Sequence, residues 1–80
     1  EREAGNGRAD ITAFNLRKKD AYIIEVKYSK SNRDLNADAQ EAIDQINRLR
    51  YDQYFSQRSP KSIRHYGITF CLKQCRVLTE

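Results

Sequence analysis

The octapeptide Ala21–Tyr28 (AYIIEVKY) constrains this chain more than any other stretch. It is dense in β-branched and aromatic residues, the composition of a strand. Side chains alternate along a strand, so Glu25 and Lys27, two apart, share one face. Burying such a face without partners is costly. Either the two charges form a structural pair with neighbours, or the face is a site. A solvated face fits poorly, because Ile23 on one side and Tyr22, Ile24 and Val26 on the other make both faces apolar.

The flanking segments place this strand in a sheet. Gly5-Asn6-Gly7 is a turn signal. Arg8–Phe14 (RADITAF) alternates as a strand does. The charged stretch Asn15–Asp20 reads as the turn joining the two into a hairpin. Ser31, Asn32 and Asp34 are helix-start candidates. From Leu35 to about Tyr54, Leu35, Ala39, Ala42, Ile43, Ile46, Leu49 and Gln53 recur at helical spacing and predict one amphipathic helix. Ser59-Pro60 ends it. Arg64–Leu72 (RHYGITFCL) predicts a third strand, with Tyr66, Ile68, Phe70 and Leu72 on an apolar face. Lys73-Gln74 reads as a two-residue turn into a fourth strand, Cys75–Leu78. The order is β-β-α-β-β, an α+β mixed sheet with one main helix.

One helix covers one sheet face. The other stays partly bare, which predicts self-association as a homodimer through that face, or contact with the rest of a parent chain. Eighty residues form one domain, 1–80, or part of one. The chain starts at Glu1 rather than Met, and inside a motif, so it reads as a fragment of a longer protein.

Composition removes several classes. No run approaches the ~18–20 apolar residues that span a bilayer, and these eighty residues hold no basic-then-apolar segment of the kind a signal peptide has. Three Gly and one Pro exclude collagen-like sequence. Cys71 and Cys75, with His65 alone, cannot build a zinc site. They read as reduced thiols in a cytoplasmic protein, with Cys71 a small core residue. The net charge is +4, most of it in residues 41–80. That suits a phosphate-rich partner, and it also suits ordinary solubility.

Asp10 turns the charged strand face into a candidate site. In a hairpin turning near Arg17–Lys18, Asp10 falls opposite Glu25. Two opposed carboxylates repel unless something bridges them, and a hard divalent cation, Mg²⁺ or Mn²⁺, does so through oxygen ligands. Lys27 adds a positive charge beside them. Such a set can activate a water and stabilise charge growing on a phosphoryl group.

These residues resemble the PD-(D/E)xK nuclease superfamily: Asp10, then Glu25-x-Lys27 on a hairpin. The pattern is similar to one branch, the nuclease-like domain found C-terminal to a AAA-ATPase-like domain in many prokaryotic proteins. The matching stretches are Arg2–Ile11 (REAGNGRADI), Tyr22–Lys27, then Ala42, Gln45-Ile46 and Tyr51, and finally Tyr66–Cys71 (YGITFC) and Cys75–Val77. The GNGRAD and YGITFC stretches make it specific; an Asp and a Glu-x-Lys alone are common.

The resemblance implies a truncated restriction-endonuclease-like core lacking its first helix. It implies a Mg²⁺-dependent nuclease (or one using Mn²⁺) that hydrolyses phosphodiester bonds in nucleic acid, with a AAA-ATPase-like domain of the parent chain as partner. Asp10 and Glu25 would be metal ligands, with the Val26 carbonyl completing the shell and Glu3 a further acidic ligand. Lys27 would orient or activate the attacking water. Gln45 would face the site or the nucleic acid. Arg8, Lys30 and Tyr51 would contact nucleic acid. The motif's usual Pro-Asp is Ala9-Asp10 here.

Alternatives stay open at several positions. Gln45 also reads as a helix-surface amide, and Arg8 as a structural ion pair. Tyr51, Tyr54 and Phe55 read as stacking residues or, at their helical spacing, as packing. The competing function is a catalytically inactive nuclease-fold interaction module serving the attached ATPase-like domain.

Overall fold

The computed structural model of the chain describes residues 9–80. They form an α+β fold: a four-stranded mixed sheet with one main helix. The strands are β1 (Ile11–Asn15), β2 (Asp20–Tyr28), β3 (Ser62–Cys71) and β4 (Gln74–Thr79), in spatial order β1-β2-β3-β4. β1–β2 and β3–β4 are antiparallel, and β2–β3 is parallel. The helix α1 (Leu35–Arg48) lies on the crossover between the parallel pair, the usual solution for joining parallel strands. No helix among the described residues is long and apolar enough to cross a membrane.

The hairpin register follows from its turn. Asn15 accepts hydrogen bonds at Oδ1 from the amides of Arg17 and Lys18, both at 3.0 Å. Lys19 adopts φ 60° and its amide closes on the Asn15 carbonyl at 2.7 Å. An asparagine side chain mimicking a backbone acceptor fixes the loop. The register Ile11↔Ile24 through Asn15↔Asp20 follows from it.

Odd-numbered residues of β2 and β3 face the helix. Ala21, Ile23, Glu25, His65, Gly67, Thr69 and Cys71 are all buried. The helix presents Leu35, Ala39, Ala42, Ile43 and Ile46 to them. Gly67 sets the separation: a Cβ there would lie 2.4 Å from the Ala39 carbonyl oxygen and 3.1 Å from the Ala42 methyl. Small residues on both sides thus let helix and sheet backbones approach closely. Thr69 buries its hydroxyl by donating to the Leu35 carbonyl at 2.8 Å, as a buried donor requires.

Two expectations need correction. The helix does not run to Tyr54. It ends at Arg48; Arg50 turns left-handed (φ 56°), and Tyr51–Arg58 continues as a 3₁₀ segment. A non-glycine residue in that conformation is unfavourable by about 1–2 kcal/mol. Burial of Tyr51 and Phe55 against Ala21, Ile23 and Ile46 offsets it, at about 1.5–3 kcal/mol per large apolar side chain. Gln53, on the expected apolar stripe, is exposed.

The β3–β4 turn falls one residue early, at Leu72-Lys73, since Cys71 pairs with Gln74. Leu72 takes φ 55° there, as the tight hairpin geometry demands. The apolar face of β3 is the one turned away from the helix, the sheet face expected to stay partly bare. Tyr66 and Ile68 are half-buried, and Phe70 and Leu72 are exposed. With Tyr22, Ile24 and Tyr28 of β2 they form an open apolar sheet face. Ring pairs Tyr22–Tyr66 (6.4 Å) and Tyr28–Phe70 (5.9 Å) cross it.

Candidate active site

The site forms where the β1–β2 hairpin meets the end of α1. Continuing the hairpin register beyond Ile11↔Ile24 sets Asp10 across from Glu25. The Asp10 amide donates to Glu25 Oε1 at 3.3 Å, and the Val26 amide donates to Asp10 Oδ2 at 2.9 Å. Asp10 is exposed, whereas Glu25 is only 6% exposed.

The helix contributes Gln45, which joins the opposite charges. Its Nε2 donates to Glu25 Oε2 at 2.7 Å, and its Oε1 accepts from Lys27 Nζ at 2.9 Å. A primary amide is suited to this, carrying a donor for the carboxylate and an acceptor for the ammonium. The same Nε2 lies 3.1 Å from the Tyr51 hydroxyl. Tyr51 is 3% exposed, so its ring faces the core and its hydroxyl positions the amide. The left-handed turn at Arg50 is what aims Tyr51 back at Gln45.

The structure therefore brings Asp10, Glu25, Lys27, Gln45 and Tyr51 together. Val26 adjoins them through its amide. Lys30 is exposed in the bend after β2, outside this hydrogen-bonded set. Glu3 and Arg8 lie outside the described residues.

The donor set suits a small hard cation. Mg²⁺ is commonly held by one or two carboxylates, with water supplying the remaining oxygens. Asp10 and Glu25 supply two carboxylates at one point. Asp10 is open to solvent and uses only Oδ2 in the hydrogen bond to Val26. Among the described residues no cluster of three or more His, Cys, Asp or Glu side chains could hold a metal. Among the described residues, the acidic side chains available at this point are Asp10 and Glu25.

One residue the sequence left between stacking and packing is resolved, and one cluster escaped it. Tyr54 is 64% exposed and lines, with Ala9, Asp10 and Thr12, a depression of about 130 Å³ beside the site. Helical spacing grouped Tyr54 with its buried neighbours; the change to a 3₁₀ segment separates them. His65 is buried between two carboxylates, with Nε2 2.7 Å from Asp52 Oδ1 and Nδ1 3.2 Å from Glu80 Oε1. Asn47 also donates to Glu80, at 2.9 Å. These two contacts hold the Glu80 carboxyl below the usual carboxylate range, Asn47 most and His65 next. The cluster ties the 3₁₀ segment and the helix to the last residue after β4. A lone histidine in the sequence gives no sign of it.

A sequence profile described as the PD-(D/E)XK nuclease superfamily matches residues 1–80. No curated protein matches the chain, and no solved structure does.

Proposed function

We propose that this chain, which belongs to the PD-(D/E)XK nuclease superfamily, is a divalent-metal-dependent nuclease domain that hydrolyses phosphodiester bonds in nucleic acid. The observation that carries the reading is Gln45, which joins the buried Glu25 carboxylate to the Lys27 ammonium beside Asp10. Asp10 and Glu25 would hold Mg²⁺ or Mn²⁺, with the Val26 carbonyl as a further oxygen ligand. When bound, the cation supplies Lewis-acid stabilisation of negative charge on the phosphoryl group.

The chain's own residues do the rest. Lys27 has three N–H donors, and one is taken by Gln45. The other two can orient an attacking water and hold a phosphoryl oxygen as its charge grows. Gln45, braced by Tyr51, restrains Lys27 from swinging onto Glu25 or into solvent. A preorganised donor of this kind typically accounts for about 10²–10³-fold in rate. Lys30, exposed past the end of β2, and Arg8 are proposed to meet backbone phosphates.

Replacing Asp10 or Lys27 by Ala should abolish Mg²⁺-dependent cleavage of DNA and RNA test substrates. Unchanged cleavage would sink the assignment.

The open apolar sheet face supports a second reading. In it the nuclease fold is a non-catalytic module docked on a parent AAA-ATPase-like domain. A Mn²⁺ soak separates the two: a cation between Asp10 and Glu25 favours the nuclease, and its absence at saturating Mn²⁺ favours the module.

A further inference from the structure

The site does not end at Asp10. Three depressions of about 130, 260 and 340 Å³ adjoin one another along the outer side of β1. The first and second share Thr12 and Tyr54; the second and third share Phe14, Leu16 and Arg58. They form one furrow between β1 and the 3₁₀ segment, with Asp10 at one end and Lys19 at the other.

The furrow's chemistry is uneven along its length. Near Asp10 stands the Tyr54 ring, 64% exposed. It is held edge-on by Phe55 (5.1 Å, 88°), which stacks in turn on Phe14 at 5.8 Å. Tyr54 is therefore a supported ring with an open side. Further along, the Arg58 guanidinium lies 5.1 Å over the Phe14 ring, held in place but still charged and exposed. Lys19 follows. Among the described lining residues, Asp10 is the only acidic one.

The geometry points to a binding path for one strand of nucleic acid, with Tyr54 stacking on a base next to the cleaved phosphodiester and Arg58 and Lys19 meeting phosphates beyond it. The inference rests on the nuclease reading for its orientation toward Asp10. An aromatic platform followed by fixed cations is how sequence-tolerant single-strand binding is built. A base inside a duplex is stacked on its neighbours and offers Tyr54 no free face, so the furrow selects single strands, overhangs or frayed ends.

The test uses fluorescence anisotropy of a short labelled oligothymidine, in EDTA so that nothing is hydrolysed. Tyr54→Ala should weaken binding about 5- to 100-fold, the usual effect of losing one stacked base. Tyr54→Phe should bind like the wild type. Lys19→Asn, which tolerates the left-handed turn, combined with Arg58→Gln should lower the slope of log affinity against log salt by about 1.4, or ~0.7 per lost phosphate contact. Circular dichroism of each variant confirms that it is folded.

Single-strand binding unchanged by Tyr54→Ala overturns the proposal. So does a matched duplex that binds as tightly and is equally sensitive to Tyr54→Ala, or a furrow that takes an extended peptide and no oligonucleotide. The two readings fail separately. Loss of binding in Tyr54→Ala, with metal-dependent cleavage intact in Asp10→Ala, keeps the furrow and removes the nuclease assignment. The reverse pattern removes the furrow alone.

Discussion

Asp10 and Glu25 are each fastened to the other's strand. The Glu25 carboxylate accepts from the Asp10 amide at 3.3 Å, and the Asp10 carboxylate accepts from the amide of Val26, next to Glu25, at 2.9 Å. These two backbone amides fix the positions of both carboxylates on the adjacent strands.

A cation that occupies this point should stabilise the fold. Adding Mn²⁺ or Mg²⁺ should raise the melting temperature in a concentration-dependent way, approaching about 2.7 kcal/mol at a hundredfold excess over Kd. Asp10→Asn should remove most of the shift. Differential scanning fluorimetry measures both, and a flat response in the wild type would count against metal binding at the pair.

Gln45→Leu keeps the volume of the side chain and removes both of its polar ends. Glu25, at 6% exposure, then loses a charged-acceptor hydrogen bond. Urea unfolding should show a loss of about 1–3 kcal/mol. Cleavage should fall further than stability does, because Lys27 loses its restraint. Equal activity in folded Gln45→Leu would remove Gln45 from the mechanism.

Gly67→Ala should be costlier than a surface substitution. Its new methyl would meet the Ala39 carbonyl, a backbone atom that cannot swing aside. Overpacking of this kind costs about 1–3 kcal/mol or more, read from the denaturant midpoint. Pairing it with Ala42→Gly relieves only the 3.1 Å contact, so recovery should be partial.

Acid should loosen the far end of the fold. Hydrogen bonds from Asn47 and His65 depress the Glu80 carboxyl, so the folded state binds its proton less readily than the unfolded chain. The stabilisation is complete above the ordinary carboxylate range and drains away as pH falls through and below it. Glu80→Gln should flatten that part of the stability profile, measured by thermal melts across acidic pH. An unaltered profile would show that the contact contributes nothing.

The sequence made the hairpin and helix legible for a physical reason. Glu25 and Lys27 interrupt an apolar strand, and Asn15 supplies a turn whose centre fixes what lies opposite Glu25. The helix's buried stripe from Leu35 to Ile46 follows spacing alone. The break at Arg50 was not legible, because neither glycine nor asparagine marks it. It follows from tertiary packing of Tyr51 and Phe55, which no local pattern carries. The alternation of β3 shows an apolar face at Ile68 and Phe70 but not which face the helix covers; the helix covers the other, with Gly67 and Thr69 beneath it. Tyr54's exposure beside Asp10 depends on that same break, which decides between the stacking and packing readings left open by its spacing.

Every described side chain of the candidate site lies between Asp10 and Tyr51, yet Gly67, far beyond them, decides how near Gln45 can come to Glu25. Strand β3 therefore acts as a mould for the hydrogen-bonded set on the neighbouring strand and the helix. What that mould requires at its centre is a vacancy the size of a methyl group.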